Sequence, residues 1–261
     1  MKRFILSAMP NPEGMIRLYE KDYHYLVRVR RLKAGMCFEA LLPDGNETQV
    51  RILSTVDNIL IGECLGASKT FTAAGDIQIP IALFQGLPKG TKMDLIVRQA
   101  AEGGVSVVAP FVSEYSAARP NKESAEKLKR WERIVKEARQ QSGSALETEI
   151  RTLCSFNAVI DYWESLKKEY QRPMGILLHQ EALEKGTFHG YLGNCPDFVA
   201  LAVGPEGGFS PREVTLFRDA GFKPLLMGNT ILRTETAALY GCAAIKIILL
   251  EKKAWIPRPA E

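Results

Sequence analysis

Phe198-Val199-Ala200-Leu201-Ala202-Val203 runs directly into Gly204-Pro205-Glu206-Gly207-Gly208-Phe209, and Ser210-Pro211-Arg212-Glu213 follows. A short unbroken apolar run bounded by turn residues is the pattern of a strand buried on both faces, as in a parallel sheet. Glycines let backbone approach a ligand closely and take positive φ, and Pro205 stiffens the turn. Ser210 with Glu213 three residues on forms a capping box, which predicts a helix over Pro211–Ala220. The glycine loop therefore lies between a strand's carboxyl end and a helix, the place where open α/β sheets bind ligands.

The same grammar recurs downstream. Lys223–Met227 reads as a strand and leads into Gly228-Asn229-Thr230-Ile231-Leu232-Arg233-Thr234-Glu235-Thr236-Ala237, after which Thr234–Leu250 reads as a helix. Two strand-to-helix loops of this kind in one chain point to one crevice. Working back, Ile77–Phe84, Val105–Pro110 and Gly175–Leu178 are strand candidates. Thr91–Glu102, Asn121–Ser142 and Phe156–Tyr170 carry apolar residues at helical spacing. Trp131 falls on the apolar face of the second of these helices, where it reads as core. Strands alternating with helices imply a mainly parallel sheet covered on both faces.

Residues 1–70 have a different texture. Met36–Leu42, Glu47–Leu53 and Ile59–Leu65 are short, partly alternating segments separated by the turn signals Pro43–Asn46 and Asp57-Asn58, the spacing of a small barrel. Ala67–Gly75 is small and polar and reads as a linker to a second domain over 76–261.

The chain has 261 residues and a net charge of +4, a mild bias that permits a nucleic-acid partner without requiring one. The distribution is more telling. Lys21, His24, Arg28, Arg30, Arg31 and Lys33 stand against one acid, Asp22, with Tyr23 and Tyr25 among them. Such a cluster meets phosphates with its cations and unpaired bases with its rings, or is a solvated face beside a small core. Cys37, Cys64, Cys154, Cys195 and Cys242 are odd in number, widely spaced and without a CxxC, and the three histidines show no ligand spacing. These features predict a reduced, metal-free, cytoplasmic protein. The apolar run Ala237–Leu250 is too short and too interrupted for a membrane span.

Neither loop is a phosphate cradle. Gly204–Phe209 lacks GxGxxG spacing, and Gly86-Leu87-Pro88-Lys89-Gly90-Thr91-Lys92 places its second glycine one residue too early for a P-loop. Nucleotide triphosphates and dinucleotides are thereby disfavoured.

The wording of the paired loops, with Phe84-Gln85-Gly86-Leu87-Pro88-Lys89, Gln99–Gly104 and the run from His24 to Gly35, resembles the SPOUT superfamily of RNA methyltransferases. Within it, the chain is similar over nearly its whole length to the bacterial 16S rRNA uracil-N3 methyltransferases. The resemblance implies an α/β fold with a C-terminal trefoil-knotted methyltransferase domain and a small N-terminal PUA-like β-barrel. It also implies a homodimer, S-adenosylmethionine (SAM) as methyl donor and ribosomal RNA as substrate. Carried over by position, donor contacts fall on Leu178, His179, Val203, Gly204, Glu206, Gly208, Met227, Gly228, Ile231, Leu232, Thr236 and Ala237. RNA contacts fall on Arg3, His24, Arg28, Arg31 and Lys33. The family often carries a basic residue where this chain has Ser144.

Methylating uridine N3 requires removal of a proton and stabilisation of the resulting charge. Arg233 suits the uracil oxygens, and Glu235 suits a base or a group that orients Arg233. The competing reading pairs Arg233 with Glu235 to pin the start of the last helix. Methylation of another RNA, or a non-catalytic RNA-binding factor on the same fold, are the alternative functions.

Overall fold

The computed structural model describes residues 4–6, 8–43, 46–66, 79–116, 124–142, 144, 146–181, 187–193 and 195–254. The chain forms two compact units, Met1–Ile77 with Arg139–Leu146, and Gln78–Ala138 with Glu147–Glu261. The expected linker at 67–75 lies outside the described residues.

The first unit contains β1 (Phe4–Ile5), β2 (Met15–Leu18), α1 (Glu20–Tyr23), a π-helix over His24–Val29, β3 (Cys37–Leu41), β4 (Glu47–Val56) and β5 (Ile59–Cys64). Its five-stranded sheet has the order β1-β3-β4-β5-β2. Only the β1–β3 pair is parallel, and β4 carries a bulge between Ile52 and Ser54 that bends it. Phe4, Leu26, Phe38, Val50, Ile52 and Leu60 close the core beneath it. The basic run is therefore helical. Tyr23 and Leu26 are buried, and His24 and Arg28 face solvent.

The second unit is an α/β layer structure. Its elements are β6 (Ile81–Gly86), α2 (Lys92–Gly103), β7 (Val107–Val112), α3 (Ser124–Ser142, of which the residues from Arg139 on group with the first unit), β8 (Glu149–Ile150), β9 (Cys154–Ser155), α4 (Phe156–Glu169), β10 (Pro173–Leu178), α5 (Phe188–Leu192), β11 (Phe198–Val203), α6 (Pro211–Asp219), β12 (Phe222–Leu225) and α7 (Thr234–Ala254). The sheet runs β12-β10-β11-β6-β7-β8, with β9 also on β7, and every described pairing is parallel.

Alternation along each central strand feeds two cores. Ile81 and Leu83 join Met93, Ile96, Trp131, Ile134 and Ile245 on one face. Ala82 and Phe84 join Val159, Trp163, Phe217 and Phe222 on the other. Each large apolar side chain buried this way contributes about 1.5–3 kcal/mol. The Trp163 indole, fully buried, donates to the Ala220 carbonyl at 2.9 Å, which meets the cost of its polar edge.

The expected buried strand Phe198–Val203 is found with those bounds, and α6 starts with the expected capping box. Ser210 Oγ accepts from the Glu213 N–H, and the Glu213 carboxylate accepts from the Ser210 N–H. Other boundaries move. Strand β6 ends at Gly86 rather than Phe84, because pairing with β7 continues through Gly86 and Phe111. Strand β12 ends at Leu225 rather than Met227, because its partner β10 stops at Leu178. The final helix runs four residues past Leu250. Among the described residues no helix is long and apolar enough to cross a membrane.

Candidate active site

Strands β6, β10, β11 and β12 are parallel neighbours, so the segments that follow them emerge along one edge of the sheet. Those segments are 87–91, 179–180, 204–209 and 226–233, and they include all twelve proposed donor contacts except Leu178, Val203, Thr236 and Ala237, which flank them.

A buried polar relay fixes two of these segments, the glycine loops 204–209 and 226–233. Gln85, fully buried near the end of an otherwise apolar strand, donates from Nε2 to Gly86 O and to Thr234 Oγ1, both at 2.9 Å. The same nitrogen lies 3.5 Å from the carbonyls of Val203 and Gly204. Thr234 Oγ1 passes its own proton to Gly204 O at 2.6 Å. A polar group placed in such an interior costs free energy unless hydrogen-bonded, so the relay fixes the backbone of both glycine loops relative to β6. Backbone proximity does the rest. A Cβ on Gly86 would stand 2.6 Å from Pro205 Cδ and 2.9 Å from its nitrogen, so only glycine admits the 204–209 loop against β6. That loop is closed by the Gly208 N–H donating to Pro205 O at 2.9 Å.

Charges cluster at the same edge. The Glu206 carboxylate accepts from the Lys89 N–H at 3.2 and 3.3 Å and from Lys92 Nζ at 2.6 Å. Lys92 Nζ also lies 3.7 Å from Glu235 Oε2. Partial burial raises the Glu206 carboxyl, but the hydrogen bonds from Lys92 and from backbone N–H groups outweigh it and hold the group below its usual range. The hydrogen bond with Glu206 in turn raises the Lys92 ammonium. Glu235 Oε2 is buried and has no hydrogen-bond partner. Arg233 is exposed one residue before α7, and its backbone carbonyl accepts from the Ala237 N–H at 2.8 Å. Among the described residues the ion-pair partner of Glu235 is Lys92, not Arg233, so the helix-pinning pair considered from sequence does not form.

The remaining expected contacts fall as follows. Leu178 ends β10, half-buried. The His179 N–H donates to Leu225 O at 3.1 Å, and His179 Nδ1 accepts from the Gln180 N–H at 2.7 Å, which assigns the ring proton to Nε2. His179 is thus held by backbone on both sides. Met227 packs on the core, while Gly228, at φ +91°, is exposed. Leu232, Thr236 and Ala237 are half-buried, and Ile231 is 87% exposed, an apolar side chain without a protein neighbour to cover it. Of the expected RNA contacts, Arg3 lies outside the described residues. His24, Arg28, Arg31 and Lys33 are exposed in the first unit, and Arg31 takes a left-handed φ of +56°.

Sequence reasoning passed over Gln85, Lys92 and Thr234. The signals were present: an amide inside an apolar strand, and a lysine at the first residue of a helix, where the helix dipole disfavours a cation. Among the described residues no group of three or more His, Cys, Asp or Glu side chains is placed to hold a metal ion.

Comparison with known proteins fits this geometry. Residues 76–246 match the RNA methyltransferase domain family. The chain is 30% identical over 249 residues to a ribosomal RNA small subunit methyltransferase E of Synechocystis, covering 95% of this chain and 78% of the relative. Among solved structures, a ribosomal RNA small subunit methyltransferase E of Neisseria gonorrhoeae shares the fold, with a TM-score of 0.74 at 24% identity over 95% of this chain and 98% of that one. A methyltransferase of Legionella pneumophila, solved with the cofactor SAM bound, has a TM-score of 0.73 at 25% identity over the same shares. With the domain family matching most of the chain and a 30% identical relative aligned over 95% of it, this protein belongs to the ribosomal RNA small subunit methyltransferase E family of RNA methyltransferases.

Proposed function

We propose that the protein transfers the methyl group of SAM to N3 of a uridine in the 16S rRNA of the small ribosomal subunit. The observation that carries this reading is Glu235. The Glu235 carboxylate, 15% exposed and with one oxygen lacking any hydrogen-bond donor, stands at the start of α7 two residues from an exposed arginine, and is matched by a substrate that brings a donor N–H and carbonyl oxygens.

The residues present fit the donor. Exposed Ile231 with half-buried Leu178 and Leu232 offers apolar faces for a flat ring. The backbone of Gly204, Gly208 and Gly228 can approach closely, and His179, Val203, Glu206, Met227, Thr236 and Ala237 line the same edge. When bound, SAM supplies an electrophilic methyl group on a sulfonium. The chain's own residues do the rest. The relay through Gln85 and Thr234 holds the loops so that the nucleophile and methyl carbon meet in line. Glu235 takes the N3 proton, and the Arg233 guanidinium stabilises the negative charge that develops on the uracil oxygens.

In this reading, residues 76–261 form a trefoil-knotted catalytic domain. Residues 1–70 form a PUA-like barrel that grips RNA through Arg3, His24, Arg28, Arg31 and Lys33. The protein works in the cytoplasm as a homodimer. An apolar cavity of about 220 Å³ between α2 and α7, with exposed Leu239, Ile247 and Leu250 at its rim, supports a partner subunit there.

Nucleoside mass mapping of 16S rRNA from a deletion strain, before and after addition of purified protein and SAM, tests the reaction. One 3-methyluridine is expected to disappear on deletion and return on addition. Arg233→Ala is expected to lower turnover by about 10²-fold with SAM affinity retained. Unchanged turnover would remove Arg233 from the reaction.

A further inference from the structure

Lys92 opens α2, whose amino end carries partial positive charge, so the helix dipole disfavours a cation there. The acid of that first turn, Asp94, does not offset it, because Asp94 is engaged by Arg130 and by the Trp131 indole at 3.1 Å. Lys92 instead reaches two carboxylates on distant segments, Glu206 in the 204–209 loop and Glu235 in the first turn of α7. The two contacts differ in kind. At 2.6 Å the first is a full charge-assisted hydrogen bond, which the Lys89 N–H reinforces by fixing the carboxylate. At 3.7 Å the second is within ion-pair range but beyond hydrogen-bond reach.

We propose that Lys92 is a positioning residue for methyl transfer: tethered by Glu206, it balances the charge of Glu235 without donating a hydrogen bond to it, leaving the carboxylate free to accept the substrate proton. This rests on the reading of Glu235 as proton acceptor. The tether is the essential part. A lysine without Glu206 would close the remaining gap, donate to the Glu235 carboxylate and weaken it as a proton acceptor. A neutral residue at position 92 would leave a half-buried carboxylate without its ion-pair partner. Because Glu206 belongs to the cofactor loop, the same contact couples the seating of that loop to the state of Glu235. Lys92 thereby becomes a third charged member of the reaction centre, contributed by an element that sequence motifs did not mark.

The test is a double-mutant cycle read by single-turnover methyl transfer at saturating SAM and saturating small subunits from a deletion strain. The proteins are wild type, Lys92→Met, Lys92→Arg, Glu235→Gln and Lys92→Met/Glu235→Gln. Lys92→Met is expected to slow the step by about 30-fold, Lys92→Arg to recover most of the rate, and the double variant to be no slower than Glu235→Gln alone, as for groups that act as a unit. Multiplicative losses would overturn the proposal, and so would a Lys92→Met protein that only raises the KM for RNA at an unchanged single-turnover rate. If Glu235→Gln itself reacts at the wild-type rate, Glu235 is not the proton acceptor and the role of Lys92 falls with it. If Glu235→Gln is slow but the cycle is additive, only the role of Lys92 falls.

Discussion

Thr234 Oγ1 donates to Gly204 O across 2.6 Å, so the first residue of α7 is fastened to the residue that follows β11. The bond brackets the candidate site from both sides, since Thr234 lies between Arg233 and Glu235 and Gly204 opens the 204–209 loop.

Thr234→Val keeps the shape and removes both the donor to Gly204 and the acceptor used by Gln85. A buried polar group left unpaired costs about 1–3 kcal/mol, and each kcal/mol is worth about 2–4 °C in a protein of this size. Calorimetry is expected to find a lower Tm and weaker SAM binding, by roughly tenfold for each 1.4 kcal/mol transmitted to the pocket. Thr234→Ser retains the hydroxyl and is expected to stay near wild type in both. Equal behaviour of the two variants would show that the relay does not hold the pocket.

Two glycines separate sterics from backbone strain. Gly86→Ala places a methyl group 2.6 Å from Pro205 Cδ, with the Pro205 nitrogen at 2.9 Å, so the 204–209 loop has to move and SAM binding is expected to be lost. Gly228→Ala meets no atom within 4 Å and pays only for its φ of +91°, about 1–2 kcal/mol. Titration calorimetry of both variants checks the order, with Gly86→Ala the more damaging.

The Lys92–Glu206 latch gives acid sensitivity of a defined sign. The Glu206 carboxyl is held below its usual range in the folded protein, so its stabilising contribution is complete above the unfolded-state value of about 4 and is lost as pH falls through the lower folded value. The Tm difference between wild type and Glu206→Gln is therefore expected to be flat from pH 8 to pH 5 and to shrink only in more acidic buffer. A difference that shrinks between pH 8 and pH 6 would point to another group.

Thiol chemistry reads the packing of α7. Burial pushes the Cys242 thiol up to about 12, whereas Cys195 is exposed. At pH 8 a thiol reagent is expected to modify Cys195 within minutes and Cys242 only on unfolding, as peptide mass mapping would show.

Much of this architecture is legible in the chain. Phe198–Val203, its glycine loop and the Ser210–Glu213 capping box are local patterns, and they appear as read. Strand ends are less legible because they depend on partners. Nothing local tells β12 to stop at Leu225, since that limit is set by the length of β10. The π-helix at His24–Val29 also escaped notice, because its Arg30 N–H to Tyr25 O bond spans one residue more than an α-helical turn without a distinctive residue pattern. In the candidate site, Arg233 and Glu235 sit in the loop wording, where a sequence pattern can mark them. Gln85 and Lys92 act across more than a hundred residues, and no spacing rule reaches that far.

The relay also sets when this protein becomes competent. Gln85 and Thr234 are 149 residues apart in sequence, and Gln85 and Gly204 are 119 apart. Contacts of such separation are closed late, after the loop entropy has been met, and topologies rich in them fold slowly. As the polypeptide emerges amino end first from a translating ribosome, the early strands can pair while the pocket still lacks a wall. Binding capacity therefore arrives in one late event, once the start of α7 is released and docks, and any product of premature termination before Thr234 is expected to be inert toward the methyl donor.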